Sequence, residues 1–113
     1  GSLINLNVKH LHPPGMYIRT IEMPAGSLLT SEEHKTEHPF CIHTGDISVW
    51  TARDGFQTLH APYLGMTLPG TKRILFAHTD TVWSTFHATD KTDISEIRKD
   101  ILGRLDDERK SLS

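Results

Sequence analysis

Acidic and histidine side chains crowd the short stretch between Gly26 and Gly45, where Glu32, His34 and His38 follow one another closely. Carboxylate and neutral imidazole groups are the side chains that bind divalent first-row metals in proteins. The stretch is therefore a candidate metal site. Its geometry depends on whether the backbone beneath it is a helix or a strand.

A helix would make His34-Lys35-Thr36-Glu37-His38 an H-x-x-E-H motif, in which two histidines one turn apart bind zinc and the acid is the base of a peptidase. However, Pro39 disfavours helical dihedrals at His38, and apolar residues do not recur at spacings of three and four on either side. The sequence therefore gives the peptidase interpretation little support.

A strand fits the pattern better, because alternate side chains of a strand point to opposite faces. One face of a first strand would carry Leu28, Thr30, Glu32 and His34, and one face of a second strand would carry His38, Phe40 and Ile42. With both faces inward, Glu32, His34 and His38 converge in a pocket with apolar walls. Two histidines and a carboxylate suit iron, manganese, nickel or zinc and leave positions open for water or substrate.

The same spacing resembles the first motif of the cupins, which has a glycine, five residues, His-x-His, three or four residues, a glutamate, six residues and a closing glycine. Counted from Gly26 to Gly45, that motif places Glu32 at the first histidine, His34 at the second and His38 at the glutamate. The resemblance implies a small double-stranded β-helix (jelly-roll) barrel with a histidine-bearing pocket. Two of the three ligand types are exchanged, so the metal capacity implied by the family is not inherited unchanged.

The second cupin motif, Pro-x-Gly-x-x-His followed by asparagine, falls on the segment between Leu68 and Ala77. Gly70 is kept, but Arg73 stands where the family has its fourth ligand, and a permanently charged guanidinium does not bind a metal. Three interpretations stay open: three protein ligands suffice, another histidine completes the site, or there is no metal and Arg73 binds an anionic group through paired hydrogen bonds.

His87 is the candidate replacement ligand. It ends a β-branched and aromatic run from Thr81, which predicts a strand that returns beside the first two. The register of this strand is open, because either Trp83, Thr85 and His87 face inward or the residues between them do.

The segment from Ala61-Pro62-Tyr63 through Arg73 to His87 also resembles small single-domain cupins that are associated with phages and prophages. Within it, Arg73 and Tyr63 are the candidate contacts to a small polar or anionic ligand, with packing as the alternative role of Tyr63. The same resemblance implies a location in the host cytoplasm or in a virion.

Composition agrees with one compact domain. The 113 residues, 36% of them hydrophobic, allow a single modest core. A net charge of −2 gives no electrostatic reason to expect nucleic acid or an acidic membrane as a partner, and no apolar run reaches the roughly 20 residues that cross a bilayer. The single cysteine, Cys41, excludes an intramolecular disulfide and is compatible with a reducing compartment, so we expect a cytoplasmic protein.

Short strands punctuated by glycine and proline, followed by one helix, predict an all-β barrel with a C-terminal α-helix. We expect an N-terminal arm over residues 1–14, in which Gly1-Ser2 is interpreted as a tag remnant, the barrel over 15–88, and the helix with its tail over 89–113. Asp93 and Glu96 form a capping pattern at the helix start. The apolar face that follows, which we expect to pack on the barrel or on a second subunit, consists of Ile94, Ile97, Ile101, Leu102 and Leu105.

Two functions from different classes follow from these residues. In the first, the domain is a metal-dependent enzyme acting on a small polar or sugar-like substrate, with His34, His38 and Glu32 or His87 as ligands to the metal and Arg73 orienting an anionic substrate. In the second, it is a non-catalytic binding or assembly module with a vestigial pocket, associated with a phage particle or with host interaction. We expect a homodimer in either case, because such barrels often pair through edge strands.

Overall fold

A computed structural model of the chain describes residues 6–31 and 33–101. Their elements, in chain order, are β1 (Asn7–Leu11), β2 (Met16–Met23), β3 (Leu28–Thr30), β4 (His38–Thr44), β5 (Asp46–Thr51), β6 (Gly55–His60), β7 (Tyr63–Thr67), β8 (Arg73–Ala77), β9 (Thr81–Ala88) and the helix α1 (Ile94–Ile101). The prediction of an all-β barrel with one C-terminal helix is confirmed.

Two antiparallel sheets form the walls of the barrel. One sheet has five strands in the order β1-β2-β9-β4-β7, and the other has four in the order β3-β8-β5-β6. Strands that are distant in the chain are neighbours in both sheets, as expected for a jelly roll. In the five-stranded sheet, β9 lies between β2 and β4, which brings the end of the barrel chain beside its beginning.

The segment placed in an N-terminal arm contributes a strand to this sheet. In β1, Asn7 lies opposite Glu22 and Leu11 opposite Ile18, so that β1 covers the edge of β2. The boundary at residue 14 stays a prediction, but residues 7–11 extend the barrel wall.

The apolar core fills the space between the two sheets. Its buried members are Ile21, Met23, Phe40, Ile42, Ile47, Val49, Leu75, Ala77 and Trp83. They alternate along their strands with side chains on the outer faces, as strands with one buried face require. A second cluster, at one end of the barrel, joins Tyr17 of β2 to Ile97 and Ile101 of α1.

The helix α1 begins as its capping pattern predicts. Asp93 accepts a hydrogen bond at its Oδ1 from the backbone N–H of Ser95, at 3.1 Å, which satisfies one of the first free N–H groups of the helix. Of its predicted apolar face, Ile97 and Ile101 are buried against Tyr17, and Ile94 is partly buried beside them. Leu102 and Leu105 lie outside the described residues. The expectation that this face packs on the barrel is confirmed for its described part.

The predicted inward face of the first strand is wrong. Leu28 is 58% exposed, Thr30 is exposed, and it is Leu29 between them that contacts the core. The strand also ends at Thr30, so the alternation does not continue to His34. The extrapolation failed because a period of two holds only while the backbone stays extended.

Large apolar side chains on the four-stranded sheet point away from the core. Leu28 lies opposite Phe76, and Trp50 lies between Ile74 and Phe56 across three adjacent strands. Phe56 is 74% exposed. We refer to these five residues as the apolar outer face. No helix among the described residues has the length and the apolarity needed to cross a membrane.

Candidate metal centre

Three histidines meet at the end of the barrel that α1 covers. One ligand nitrogen from each of His34, His38 and His87 lies within 4.8 Å of the other two. The ring centroids are 4.4 Å apart for His38 and His87, 4.6 Å for His34 and His38, and 5.6 Å for His34 and His87. Three imidazoles from three separate segments therefore face one common point.

His34 lies on the irregular segment between β3 and β4, and hydrogen bonds to two other parts of the chain hold that segment in place. The backbone N–H of Gly70 donates to the carbonyl of His34 at 2.8 Å, and the N–H of Lys35 donates to the carbonyl of Ile101 at 2.7 Å. The β7–β8 loop and the end of α1 thus fix the position of His34. The segment is not helical, so the H-x-x-E-H interpretation has no structural basis.

His38 opens β4 and is 2% exposed. Its Nδ1 lies 3.2 Å from the backbone carbonyl of Thr36. When Nδ1 carries the proton and donates it to that carbonyl, Nε2 keeps its lone pair for a metal. Such a second hydrogen bond is the usual way in which a protein fixes the tautomer of a histidine ligand. The predicted inward face of this strand is confirmed, because His38, Phe40 and Ile42 are all buried.

The burial of Trp83 and His87 shows which face of β9 points inward. Trp83 and His87 are buried on the inner side, and Phe40 of β4 lies opposite Thr85, which brings His38 and His87 together across the two strands. The Nε2 of His87 is 3.0 Å from the Oγ1 of Thr85. Its Nδ1 is buried and has no hydrogen-bond partner among the described residues.

Burial and crowding favour the neutral form of His38 and His87. Burial, followed by the neighbouring His38 and His34, lowers the pKa of His87 to about 3. Burial also lowers the pKa of His38; the hydrogen bond with Thr36 opposes this shift, and the charge of Arg73 adds a smaller lowering effect. A metal needs neutral imidazole, and the pKa of His87 keeps it in that form throughout the physiological range.

The three nitrogens fit one metal ion after a small closure. Nitrogens bonded at 2.0–2.1 Å to a tetrahedral ion lie roughly 3.4 Å from one another, whereas the separations here extend up to 4.8 Å. The buried Nδ1 of His87 has no hydrogen-bond partner among the described residues, so its lone pair is available to a metal ion.

Two further predicted site residues, Arg73 and Tyr63, lie outside this trio of imidazoles. Glu32 lies outside the described residues. Arg73 donates a hydrogen bond from Nη1 to the Oγ1 of Thr67 at 2.8 Å, and its guanidinium lies 4.9 Å from the centroid of the Phe40 ring. Tyr63 is 39% exposed, and its ring stacks against Phe40 at a centroid distance of 5.9 Å.

Tyr17, whose ring packs against His87, was not among the site residues predicted from the sequence. The ring of Tyr17 stacks on His87 at 5.7 Å, and its hydroxyl is 2.7 Å from Nδ1 of His10. The pairing of Tyr17 with His87 across β2 and β9, which are distant in the chain, reveals its place.

A cavity of about 610 Å³ opens at the rim of the barrel, beside the centre. The β5–β6 turn, the β7–β8 loop and the adjoining strand ends form its walls. Its lining residues are Thr30, Trp50, Thr51, Ala52, Arg53, Asp54, Met66, Leu68, Pro69, Gly70, Thr71, Lys72, Arg73 and Ile74. The three histidines are not among them, so this rim cavity and the histidine cluster are neighbouring but separate features.

Known structures share this architecture at low sequence identity. No protein-family model and no curated protein matches the sequence. A cupin-2 domain-containing protein from Halorhodospira halophila superimposes with a TM-score of 0.64 and 16% identity over 83% of this chain and 74% of that chain. An RmlC-like cupin with a double-stranded β-helix fold from Methanocaldococcus jannaschii gives 0.62 and 10% identity, over 76% of this chain and 82% of that chain. The domain has the cupin fold.

An enzyme is also among the structural neighbours of this cupin barrel. An acetylacetone dioxygenase from Acinetobacter johnsonii superimposes with a TM-score of 0.60 and 18% identity. The match covers 74% of this chain and 59% of the dioxygenase chain. At these identities the similarity establishes the fold, and any activity must be argued from the site.

Proposed function

We propose that this cupin domain binds one divalent transition metal through His34, His38 and His87 and uses the centre to bind a small polar or anionic ligand. The observation that carries the proposal is the cluster itself, in which one ring nitrogen of each histidine lies within 4.8 Å of the other two, together with the buried Nδ1 of His87, which has no partner among the described residues. A buried polar atom without a partner costs about 1–3 kcal/mol, and a metal ion would remove that cost.

The chain's own residues orient the ligand atoms. The carbonyl of Thr36 holds the proton of His38 on Nδ1 and leaves Nε2 for the metal, while Thr85 holds the proton of His87 on Nε2 and leaves Nδ1. A bound ion would supply a Lewis acid for an oxygen atom of the ligand. Three protein nitrogens leave coordination positions open, which distinguishes a reactive centre from a closed structural site.

The identity of the metal belongs to the same proposal. Imidazole ligands suit iron, nickel and zinc, and manganese is compatible with a mixed set that includes a carboxylate such as Glu32. Several neighbours with this fold are dioxygenases, namely those acting on acetylacetone and on salicylate. These neighbours support testing a metal-dependent reaction first, with iron, manganese, nickel and zinc each tried in turn.

The deciding experiment is elemental analysis by mass spectrometry of tag-free protein purified without added metal, next to a His34→Ala, His38→Ala double variant. We expect close to one equivalent of a transition metal per chain in the wild type and less than about a tenth of that in the variant, because a single remaining imidazole binds weakly.

A His60→Ala, His78→Ala double variant is the matched control. His60 bonds to Asp46 and His78 to Ser48, both on the surface and away from the centre, so the metal content should equal that of the wild type. Metal retained in the His34→Ala, His38→Ala variant would show that these residues are not ligands. An empty wild type after incubation with all four metals would refute the proposal as a whole.

The apolar outer face supports a second candidate function, in which the domain pairs with a second copy of itself as an assembly module. Leu28, Ile74, Phe76 and Phe56 expose on the order of 400 Å² of mostly apolar surface. That is about half of the roughly 800 Å² that each partner buries in a stable complex. The polar residues around the patch would provide the rest of the area in a symmetric dimer.

Analytical ultracentrifugation of the wild type and of a Phe56→Ser variant tests this pairing. Phe56 is 74% exposed, so the substitution should leave the monomer folded while weakening the dimer by at least about tenfold. A Leu64→Ser variant, in which an equally exposed side chain on the other sheet is changed, should sediment like the wild type. A wild type that is monomeric at high concentration would exclude self-pairing.

A further inference from the structure

Positive charge gathers at the rim cavity. Arg53, Lys72 and Arg73 line it, and Asp54 is the only acidic lining residue, so the described lining carries a net charge of +2, obtained from three cations and one anion. None of the three cations forms an ion pair within residues 6–31 and 33–101. A concave surface with a net positive charge concentrates anions.

Arg73 is the best placed of these cations to hold a ligand. Its guanidinium is half-buried, between the Phe40 ring at 4.9 Å and the hydroxyl of Thr67, to which one N–H donates at 2.8 Å. These two contacts fix a planar group that has five N–H donors. A fixed guanidinium matches the two oxygens of a carboxylate, whereas the exposed Lys72 and Arg53 are suited to long-range attraction.

The rest of the cavity wall is largely apolar. Trp50, Met66, Leu68 and Ile74 face it together with the ring of Pro69. A volume of about 610 Å³ falls inside the range of roughly 300–1,000 Å³ typical of small-molecule sites. A ligand that fits these walls has an aromatic or alkyl body in addition to its charge, which a bare inorganic anion lacks.

The rim cavity and the histidine cluster share two connections. Gly70, in the cavity wall, donates its backbone N–H to the carbonyl of His34. Arg73 bonds to Thr67, which lies directly opposite His38 in the pairing of β4 with β7. Arg73 therefore contacts the same pair of strands, β4 and β7, that positions the proposed metal ligand His38.

We propose that the rim cavity binds a small organic carboxylate with an apolar body, with the carboxylate held by Arg73, attracted by Lys72 and Arg53, and the body packed against Met66 and Leu68. This inference rests on the proposed function only in naming the ligand of that centre; the cavity and its charges are present without a metal. It makes an aromatic or short-chain carboxylic acid the ligand class, and it excludes sugars and inorganic phosphate.

The test uses three probes and isothermal titration calorimetry on the full chain. Benzoate carries both the ring and the charge, benzyl alcohol keeps the ring without the charge, and inorganic phosphate keeps charge without an apolar body. We expect benzoate to bind with a Kd of about 1 mM or tighter and at least about tenfold more tightly than either control probe. Equal binding of benzyl alcohol or of phosphate would overturn the assignment of the ligand class.

Charge-removing variants identify the site. Arg73→Gln should weaken benzoate binding at least about tenfold, and an Arg53→Gln, Lys72→Gln variant, changed only at exposed positions, about threefold with a reduced dependence on salt. Lys99→Gln on the exposed side of α1 is the matched control and should bind like the wild type. Should Arg73→Gln fail to fold, unchanged binding in the exposed double variant would by itself overturn the proposal.

The two proposals can fail separately. The His34→Ala, His38→Ala variant should lose its metal and keep benzoate binding within about twofold, while Arg73→Gln should keep its metal and lose benzoate binding. If benzoate binding disappears together with the metal, the metal and not the cavity holds the carboxylate, and the assignment to Arg73 is wrong. If the wild type never contains metal but binds benzoate through Arg73, only the metal proposal fails.

Discussion

The two ends of the barrel interior are equally buried but differ in chemistry. Towards one end, Ile42 and Ile47 are 0% exposed and surrounded by other apolar side chains. Towards the other, His38 is 2% and His87 is 3% exposed, and their neighbours are further imidazoles and Tyr17. The same two strands, β4 and β9, run through both ends.

This difference shows how one strand serves both stability and chemistry. Along β4 the inward residues are His38, Phe40 and Ile42, so polarity falls over a distance of four residues. Burying Ile42 stabilises the fold by the transfer of apolar surface from water, whereas burying His38 and His87 costs free energy because each imidazole loses water on at least part of its polar edge. The apolar end thus stabilises the fold, and this stabilisation offsets the free-energy cost of desolvating the histidines at the other end.

The largest expected effect lies at the apolar end. Ile47→Ala removes a fully buried side chain and should lower the free energy of unfolding by about 3 kcal/mol through lost transfer energy and the cavity left behind. Urea denaturation followed by circular dichroism measures this. Leu64→Ala, at a position that is 74% exposed, is the control and should change stability by less than about 0.5 kcal/mol. Comparable losses in the two variants would contradict the location of the core.

Acid should affect the histidine end specifically. In metal-free protein the pKa of His87 is about 3 when folded, against 6.5 as its ordinary value, so its contribution to stability is complete above pH 6.5 and is lost as the pH falls from 6.5 towards 3. Between pH 7 and pH 4 the loss should be roughly 3 kcal/mol. Urea midpoints measured with chelator present at each pH test this, with His87→Leu as the comparison. Parallel pH profiles for the two proteins would show that His87 is not buried as a neutral group.

At pH 8, the His87→Leu variant should show how much stability the protein loses by burying this imidazole. The substitution removes a buried Nδ1 that has no partner in the described structure and keeps a similar volume. We therefore expect metal-free variant protein to be about 1 kcal/mol more stable than the wild type, and added metal to stabilise only the wild type. Thermal unfolding with and without metal gives both values. A variant that is less stable than the metal-free wild type would mean that the imidazole is better satisfied than its contacts indicate.

The smallest effect should come from Tyr17→Phe. This change removes the hydroxyl that bonds to His10 but keeps the ring that stacks on His87 and contacts Ile97. Because His10 is exposed and can bond to water instead, stability should fall by less than about 1 kcal/mol with metal content unchanged. Tyr17→Ala, which also removes the ring, should destabilise the protein clearly more than Tyr17→Phe does. Loss of metal in Tyr17→Phe would show that the hydroxyl, and not the ring, positions His87.

Two glycines explain why counting along the sequence located much of the centre. Gly26 and Gly45 both have positive φ, and a Cβ at Gly45 would lie 2.4 Å from the Oγ1 of Thr81 and 2.5 Å from the carbonyl oxygen of Asp80. Both turns need glycine. The two glycines therefore mark fixed turns in the sequence, and counting residues between them relates each side chain to those turns. The face of β4 and the inclusion of His34 could be predicted for that reason.

Other parts of the centre could not be predicted from one sequence. The inner face of β9 depends on its pairing with β2 and β4, which are distant in the chain. Only the burial of Trp83 and His87 shows which face of β9 that is. The assumption that β3 continues to His34 failed because a strand end leaves no periodic signal. The rim cavity also arises from two loops that are far apart in sequence.

The contact between α1 and the segment of His34 has a dynamic consequence. Ile97 and Ile101 anchor α1 against Tyr17, so the bond from the Lys35 N–H to the Ile101 carbonyl lasts only while these side chains stay buried. Detachment of the helix would remove one of the two backbone hydrogen bonds that hold the segment of His34. The exchange of the Lys35 amide hydrogen with solvent should therefore report local opening, at a free energy below that of global unfolding, and this opening is a built-in route by which a metal could enter or leave.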